Sequence, residues 1–395
     1  MKLDVSLNQT LVGTLAQKNQ KIYFEYDANF LKSNIQISPY KLPLKSGIQR
    51  CDDYIFGGIW GVFADSLPDG WGRLLVDRHL MKLGVNPASM PILERLAFVG
   101  NGGMGALSYK PSKKIDSSFD RVVLDDLAQS SNEILEGSSE YMLEELLALS
   151  GSSAGARPKV LVQISDDKKE ILSGNQKLKS GFSDWMVKFA SSNDSRDVGA
   201  IEYAYSIMAK NAGISMSETA LLEGKKGRYF AIKRFDRARD KRVHMHSLAG
   251  LVHADFRFPT LDYEDVLKLT LHLSKSYKDL EMAFRLACFN LFAHNRDDHA
   301  KNFSFLMGKS GNWSFSPAYD LTFSFGPVGE HSTLYLGEGK NPTQKQLLEL
   351  AKKFNIKNAL QTIEQVKEAL NSWEKIAKEL DISNASIKSL KNYIF

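Results

Sequence analysis

The spacing of apolar and polar residues predicts strands in the first and middle parts of the chain and helices towards its end. In residues 21–26 the even positions are apolar or aromatic, which is the period-two pattern of a half-buried strand. Short apolar runs at 160–162 and 185–187 are also typical of strands. Apolar spacing is helical over 200–211 and again from about residue 263 onwards. We therefore expect a β-rich N-terminal part, a mixed middle and a helical C-terminal half.

Glycine-rich and polar segments separate these elements. Glycines crowd residues 57–72 among aromatic side chains, and this composition predicts tight turns packed against rings. The polar stretch 110–119 contains a proline and is expected to be a linker. We expect the first hundred residues to be mainly β-structure with turns.

Composition narrows the class of protein. The chain is 43% hydrophobic and carries a formal net charge of +5, which permits a phosphate-bearing partner without requiring one. Two cysteines, Cys51 and Cys288, exclude a disulfide framework and a cysteine-rich zinc site. The first residues lack the apolar run of a signal peptide, and no apolar stretch is long enough to span a membrane. These features predict a soluble cytoplasmic protein.

Residues 294–303, with the sequence HNRDDHAKNF, are the most informative run. Arg296 and Asp297 are followed by Asn302, with the arginine, aspartate and asparagine spacing of a protein-kinase catalytic loop. In such a loop the aspartate accepts or orients the proton of the attacking hydroxyl, and the asparagine oxygen reaches a Mg²⁺ ion. The histidines and aspartates of the run also leave open a different metal site, although zincin spacing is absent.

Three further positions extend this pattern. Asp320 follows a plausible strand and can supply a second oxygen ligand to Mg²⁺, although Leu321 and Thr322 stand where a DFG motif has Phe and Gly. Lys188 lies within an apolar strand, where kinases place a lysine that contacts the nucleotide phosphates. Glu202, in a helical segment, is its candidate partner.

A small-residue segment precedes these positions. Residues 150–159, with the sequence SGSSAGARPK, allow the backbone to approach phosphates closely. Taken alone, each feature has a structural interpretation: a flexible loop, a strand-edge lysine, a turn aspartate. Their order favours a phosphotransferase, because loop, strand lysine, helix glutamate, catalytic loop and later aspartate follow one another as in protein kinases.

At this point the chain resembles the HipA family of bacterial serine/threonine kinases, the toxin components of type II toxin–antitoxin modules. The resemblance rests on residues 63–70, 154–159, 232–237, 295–303 and 317–320. It implies an α+β, protein-kinase-like fold with a β-rich N-terminal subdomain and a helical C-terminal lobe. The corresponding division is 1–110 for the subdomain, 111–235 for the mixed nucleotide-binding part and 236–395 for the lobe that carries the catalytic loop.

The resemblance also implies roles for single residues. Asp297 matches the catalytic aspartate, Asn302 and Asp320 match the Mg²⁺ ligands, and Glu202 is expected to partner Lys188. The residues expected to bind ATP are Ala154, Gly155, Ala156, Arg157, Pro158, Lys159, Lys188, Lys233, Arg234, Phe235, His299, Lys301, Asn302, Tyr319 and Asp320. Family members phosphorylate a serine just before this loop, which corresponds to Ser152, with Ser150 and Ser153 as alternatives.

Two classes of function follow from this resemblance. The first is an ATP- and Mg²⁺-dependent serine/threonine kinase acting as a toxin. Its implied partners are a helix-turn-helix antitoxin, through which it contacts DNA only indirectly, and a protein substrate such as an aminoacyl-tRNA synthetase. The second is a catalytically silent scaffold or co-repressor that binds the antitoxin. A kinase for a small-molecule hydroxyl is a further alternative, because the catalytic-loop pattern does not distinguish its acceptor.

Overall fold

The computed structural model describes residues 1–113, 121–150, 155–238 and 241–394. The chain forms two compact units. The first unit comprises Met1–Arg196 and Ala220–His246, and the second comprises Asp197–Thr219 and Ser247–Phe395. Among the described residues, no helix combines the length and the apolar character needed to cross a membrane.

The first unit contains two five-stranded sheets and six α-helices among its described residues. Its strands are β1 Lys2–Leu7, β2 Thr10–Lys18, β3 Lys21–Tyr26, β4 Ile48–Arg50, β5 Leu107–Lys110, β6 Lys159–Ser165, β7 Ile171–Ser173, β8 Phe182–Lys188, β9 Thr219–Glu223, β10 Arg228–Lys233, β11 Arg237–Ala238, β12 Lys241–Arg242 and β13 His244–Ser247. The first residue of β9 and the last residue of β13 belong to the second unit. Its helices are α1 Ala28–Leu31, α2 Gly61–Ala64, α3 Gly70–Lys82, α4 Ile92–Val99, α5 Leu124–Glu136 and α6 Leu143–Ser150.

The N-terminal sheet confirms the strand predicted at 21–26. Its order is β4-β3-β2-β1-β5. Ile22, Phe24 and Tyr26 on β3 point into one apolar core together with residues of β1, β2 and the short helix α2. The expectation of mainly β-structure is wrong in one respect, because α3 and α4 are helical. Gly57 and Gly58 do adopt turn conformations with positive φ, whereas Gly70 begins a helix instead.

The second sheet, ordered β7-β6-β8-β10-β9, confirms the strands predicted at 160–162 and 185–187. Val160 and Val162 on β6 and Trp185 and Val187 on β8 are buried in a shared core. Because side chains alternate between the faces of a sheet, Lys188 projects from the face opposite to this core. The alternation therefore explains how a lysine can follow a fully buried valine.

The second unit is mainly helical. Its helices are α7 Val198–Asn211, α8 Leu248–Val252, α9 Tyr263–Ser274, α10 Tyr277–Phe292, α11 Gln344–Lys353, α12 Ala359–Asn371, α13 Trp373–Glu379 and α14 Asn384–Lys391, and its strands are β14 Leu261–Asp262, β15 Ser304–Met307, β16 Trp313–Phe315 and β17 Thr333–Leu334. The helices predicted over 200–211 and beyond residue 263 are confirmed. The antiparallel hairpin of β15 and β16 interrupts the helical region.

This hairpin positions the predicted catalytic segments. The loop after α10 leads through a short 3₁₀ turn, Ala300–Asn302, into β15. Strand β16 then leads to Asp320, as expected for an aspartate that follows a hairpin. Phe315 N donates a hydrogen bond to Asp279 Oδ2 on α10 at 2.9 Å, which ties the hairpin to the helix.

Candidate active site

In the loop 294–303, the Asp297 side chain lies at the surface. Its backbone carbonyl is held by a hydrogen bond from within the same loop. The Asp297 side chain is 52% exposed. Asn302 Nδ2 donates a hydrogen bond to the Asp297 carbonyl oxygen at 2.6 Å. This bond holds together the two residues that the kinase-like spacing singled out. The aspartate carboxylate is left accessible to an acceptor hydroxyl, as proton abstraction requires.

Asp298, the next residue, has the opposite environment. Its side chain is fully buried and its Oδ2 accepts hydrogen bonds from Tyr263 Oη at 2.8 Å and His331 Nδ1 at 2.9 Å. Its Oδ1 accepts from the backbone N–H groups of Ser332 and Thr333. A buried carboxylate with four donors is strongly held in place, because removing it would leave those donors unsatisfied. Asp298 therefore anchors the loop that presents Asp297.

The anchor continues into a buried chain of polar side chains. Asn290 Nδ2 donates to Tyr263 Oη at 2.8 Å, and Asn295 Nδ2 donates to Asn290 Oδ1 at 2.9 Å. Burial, and then the negative charge of Asp298, raise the pKa of Tyr263 well above its usual value. Tyr263 therefore keeps its proton and donates a hydrogen bond to Asp298. These hydrogen-bonded side chains connect α10, the loop 294–303 and α9.

His299, Lys301 and Tyr319 lie beside the exposed aspartate. His299 Nε2 is 3.9 Å from Asp297 Oδ1, while its Nδ1 accepts from the backbone N–H of Lys301 at 3.3 Å. Tyr319 Oη donates to the Lys301 carbonyl at 2.6 Å. The Lys301 ammonium lies 4.2 Å from the centroid of the Phe256 ring, a cation–π distance. The structure thus brings these three predicted residues together on one side of the loop.

Asp320 follows Tyr319 in an unusual backbone conformation. Its φ is +56°, in the left-handed region that costs energy for most residues but that aspartate tolerates better. Such conformations cluster at functional sites. Its carboxylate and the Asn302 amide are both oxygen ligands of the kind that Mg²⁺ prefers, and their role as Mg²⁺ ligands stays a prediction.

The described residues contain no group of three or more His, Cys, Asp or Glu side chains that could hold a metal by themselves. This observation argues against the alternative that the histidines and aspartates of the 294–303 run form a separate metal centre within the described residues.

In the first unit, two lysines face each other across neighbouring strands. Lys159 on β6 is paired directly with Lys188 on β8 in the antiparallel register. The two side chains project from the same face, and Lys159 is buried. Like charges placed opposite each other destabilise a sheet. Sequence analysis assigned Lys159 to the loop and missed this pairing.

The small-residue segment is held by residues far away in the chain. Gly155 N donates to Asp69 Oδ1 at 2.7 Å, and the Gly155 carbonyl accepts from Trp71 N at 2.9 Å. A Cβ at Gly70 would come within 2.3 Å of the Gly155 carbonyl oxygen. Glycine is therefore required at position 70 for this close approach. Segment 63–70, which carried part of the resemblance, has a physical role here.

Trp71 also fixes the position of Ser150. Its Nε1 donates to Ser150 Oγ and to the Lys159 carbonyl, both at 3.1 Å, and Ser150 Oγ donates to the same carbonyl. Ser150 is fully buried. A phosphate cannot be added to this hydroxyl in the described conformation. Gly151, Ser152, Ser153 and Ala154 lie outside the described residues.

The rest of the predicted loop is tied to the end of β8. The Arg157 guanidinium pairs with Asp194 at 2.9 Å, and the Pro158 carbonyl accepts from Phe189 N at 2.9 Å. Ala156 lies between these contacts and Gly155. The loop is therefore connected on one side to α3 and on the other to the segment that follows Lys188.

Lys233 to Phe235, which match the kinase hinge that meets adenine, begin at the last residue of β10. Lys233 pairs with Trp185 of β8, and Arg234 N donates to the Asp184 carbonyl at 2.9 Å. The Arg234 side chain forms a buried ion pair with Asp236 at 2.7 Å, so only its backbone remains for a hinge role. Phe235 lies between the two. The assignment of these residues to adenine binding stays a prediction.

Glu202 lies on α7 and is buried. It belongs to the second unit, whereas Lys188 belongs to the first. The pairing of these two side chains stays a prediction. Sequence analysis assigned no role to Asp69, Trp71 or Asp298, although Asp69 lies within segment 63–70 and Asp298 within the run 294–303.

Comparisons with known proteins match both parts of the chain. A model of the HipA N-terminal domain matches residues 3–110, and a model of the HipA-like C-terminal domain matches residues 151–373, more than half of the chain. The chain belongs to the HipA family. The resemblance drawn from the sequence motifs is thereby confirmed.

A HipA structure and a curated relative show the same similarity. HipA of Shewanella oneidensis MR-1, solved with HipB and its operator DNA, superposes with a TM-score of 0.72 at 16% identity, covering 99% of this chain and 94% of that chain. A Sinorhizobium fredii protein named "Putative kinase Y4dM" is 26% identical over 347 residues, covering 81% of this chain and 78% of its own. The α+β, HipA-type kinase-like fold is confirmed.

Proposed function

We propose that the protein is an ATP-dependent serine/threonine protein kinase. The observation that carries this proposal is the contrast within one loop, where Asp298 is buried under four hydrogen bonds and Asp297 is half exposed and bonded to Asn302 through its backbone. This arrangement supplies a fixed carboxylate to accept or orient the proton of an attacking hydroxyl. A scaffold would have no use for an exposed aspartate held so firmly.

The other residues take roles that their chemistry supports. Lys159 and Lys188 would contact the ATP phosphates, and Gly155 would let the backbone approach them. Asn302 and Asp320 would hold Mg²⁺, which neutralises charge on the phosphates when bound. His299 would hold the loop through its bond to the Lys301 backbone, and the Lys301 side chain would add positive charge.

We infer a toxin of a toxin–antitoxin module, as the HipA family suggests. The HipA of Shewanella oneidensis was solved with HipB and operator DNA, which supports a HipB-like, DNA-binding antitoxin as the partner of this chain. A translation component such as an aminoacyl-tRNA synthetase is the proposed class of substrate. Mg²⁺ and ATP are the proposed cofactors, and the cytoplasm is the proposed location.

We also propose that the kinase phosphorylates its own loop. The buried, hydrogen-bonded Ser150 is disfavoured as the acceptor, which leaves Ser152 or Ser153. A phosphate there would add about −1.5 to −2 charges beside the residues that hold the ATP phosphates. Repulsion would then weaken ATP binding, so Ser152→Asp should lower ATP affinity while Ser152→Ala should preserve it.

Nucleotide binding tests the proposed phosphate contacts. Calorimetric titration with Mg-ATP should show binding to the parent protein, and Lys159→Met or Lys188→Met should weaken it by about tenfold or more, because each removes a charge-assisted contact. Lys179→Met is the matched control, since Lys179 is an exposed lysine of the same unit. Equal affinity of all four proteins, or no binding to the parent, would contradict the kinase proposal and favour the scaffold.

A further inference from the structure

A basic pocket lies in the first unit, and its wall includes neither Lys159 nor Lys188. Its volume is about 530 Å³. The charged side chains of its wall are Lys177, Asp184, Arg234, Arg237, Lys241 and Arg242. They come from the segment between β7 and β8, from the start of β8 and from the segment that follows β10. Three chain segments distant in sequence thus converge on one cavity.

Positive charge in this wall exceeds the negative charge available to it. Five cations line the pocket against the single carboxylate of Asp184. Asp236, buried beside the wall, is shared by Arg234 at 2.7 Å and Arg237 at 2.5 Å. Counting both carboxylates, five cations against two leaves three positive charges without an opposite charge. Lys177 and Lys241 are exposed, so two of these charges lie at the surface and one belongs to the largely buried arginines, where an accompanying anion is favourable.

Hydrogen bonds to backbone carbonyl oxygens hold the arginines in position, but they do not neutralise the charges of the guanidinium groups. Arg242 donates to the carbonyl oxygens of Asn101, Gly103, Gly105 and Leu107, at 2.7 to 3.1 Å. These bonds hold the glycine-rich segment 100–105 in place. Carbonyl dipoles satisfy the donors, yet they carry no net charge. The structural role of these arginines therefore leaves the electrostatic excess unexplained.

The ionisation of the cluster reflects this excess. Burial, and then repulsion from Arg234, lower the pKa of Arg237 to about 9 and that of Arg242 to about 10. Burial raises the pKa of Asp184, which makes its negative charge harder to retain. Burial and like charge both disfavour the charged form of an arginine, so an anion near Arg237 and Arg242 would stabilise their charged forms.

The rest of the wall suits a small ligand with polar and apolar parts. Lys177 and Lys241 are exposed, and no hydrogen bond or ion pair among the described residues engages their ammonium groups. Asn175, also in the wall, has a buried Nδ2 donor without a hydrogen-bond partner among the described residues. Leu161 and Leu178 add apolar surface. An anion with a compact organic body matches these features.

We propose that this pocket binds a small phosphorylated organic molecule. A phosphate carries up to two negative charges and several acceptor oxygens, so it can meet guanidinium and ammonium groups together. A volume of about 530 Å³ accommodates a sugar phosphate or a mononucleotide. The limited volume of the pocket favours a small molecule over a nucleic-acid strand. The wall shares only Arg234 with the residues predicted to bind ATP, and Asp297, Lys159 and Lys188 lie outside it.

Ribose 5-phosphate is the probe for this proposal. Calorimetric titration of the full-length protein without Mg²⁺ should show binding, and the double variant Lys177→Glu/Lys241→Glu should weaken it by about tenfold or more. The control, Lys32→Glu/Lys45→Glu, makes the same change in net charge at exposed lysines of the same unit outside the pocket. It should bind the probe within about twofold of the parent. All these lysines are at the surface, so both variants should fold.

Three outcomes would overturn the proposal. They are the absence of binding to the parent at millimolar probe, equal loss in both double variants, and loss of probe binding when a non-hydrolysable ATP analogue with Mg²⁺ is saturating. A short DNA duplex that binds through Lys177 and Lys241 while ribose 5-phosphate does not would replace it with a nucleic-acid surface. Titration of the same variants with Mg-ATP reports separately on the kinase proposal, which these substitutions should leave intact.

Discussion

The two segments expected to handle ATP are held in place in different ways. The catalytic loop is anchored through Asp298, whose partners include Tyr263 and His331, each within about 35 positions along the chain. The small-residue segment is anchored through Asp69 and Trp71, which lie more than 80 positions before it. The first anchor is a buried charge with four donors, and the second is a set of neutral or exposed bonds around glycines.

This difference predicts different responses to substitution. Loss of a buried, fully bonded carboxylate should destabilise the fold, because its donors lose their partners in a water-free environment. Loss of a contact to the small-residue segment should change ligand binding more than stability, since a loop segment contributes less buried surface. The four predictions below test this contrast, from the largest effect to the smallest.

The exposed aspartate of the catalytic loop should affect chemistry alone. Asp297→Asn should lower phosphoryl transfer by about a thousandfold, because it removes the group that handles the hydroxyl proton. Mg-ATP affinity and the urea midpoint should stay unchanged, since the bond from Asn302 uses the Asp297 backbone carbonyl. A variant that loses stability as well as activity would show that Asp297, like its neighbour, is structural.

Its buried neighbour should affect the fold. Asp298→Ala should lower the free energy of unfolding of the protein by about 3 kcal/mol, since Tyr263, His331 and two backbone N–H groups lose their acceptor. Urea denaturation measures this loss, with Asp297→Ala as the matched control, for which a change below about 0.5 kcal/mol is expected. Similar values for the two variants would remove the distinction between the adjacent aspartates.

Sequence analysis identified Asp297 but not the role of its neighbour. The arginine, aspartate and asparagine spacing singled out Asp297, alternating apolar residues predicted β3, and short apolar runs predicted β6 and β8, because these signals are local. The role of Asp298 depends on Tyr263 and on Ser332, which reach it only in the folded chain. The pairing of Lys159 with Lys188 likewise depends on the register of two strands.

The anchor of the small-residue segment is even less visible in sequence. Gly70 is required because of the Gly155 carbonyl, a contact across 85 positions that no local pattern encodes. The glycines around it were interpreted as turns, whereas Gly70 begins α3. The resemblance marked residues 63–70 without supplying a physical reason, which the structure provides.

Gly70→Ala tests that contact. A Cβ would lie 2.3 Å from the Gly155 carbonyl oxygen, and φ is +45°, so the segment must shift. Mg-ATP affinity should fall by about tenfold, with a loss in the free energy of unfolding of about 1–2 kcal/mol. Gly84→Ala is the control, because Gly84 has a φ of +73° with no atom within 4 Å. Equal Mg-ATP affinities for the two variants would show that the contact between Gly70 and Gly155 does not shape the ATP site.

Ser150→Ala should have the smallest effect. It removes the hydroxyl between Trp71 and Lys159 at a cost of about 1 kcal/mol, and self-phosphorylation should persist because this serine is buried. Phosphopeptide mapping measures this, with Ser152→Ala beside it, in which the phosphate should be lost or move to Ser153. Loss of phosphorylation in Ser150→Ala alone would show that the segment opens and that Ser150 is the acceptor.

Intact mass after incubation with Mg-ATP tests the central claim most directly. The account predicts that the parent protein gains phosphate within residues 151–153 and that Asp297→Asn, folded and binding Mg-ATP equally well, gains none. Equal phosphate on both proteins would contradict the role of Asp297. No gain by either protein, together with no binding of Mg-ATP, would contradict the kinase proposal itself and leave a HipA-family scaffold.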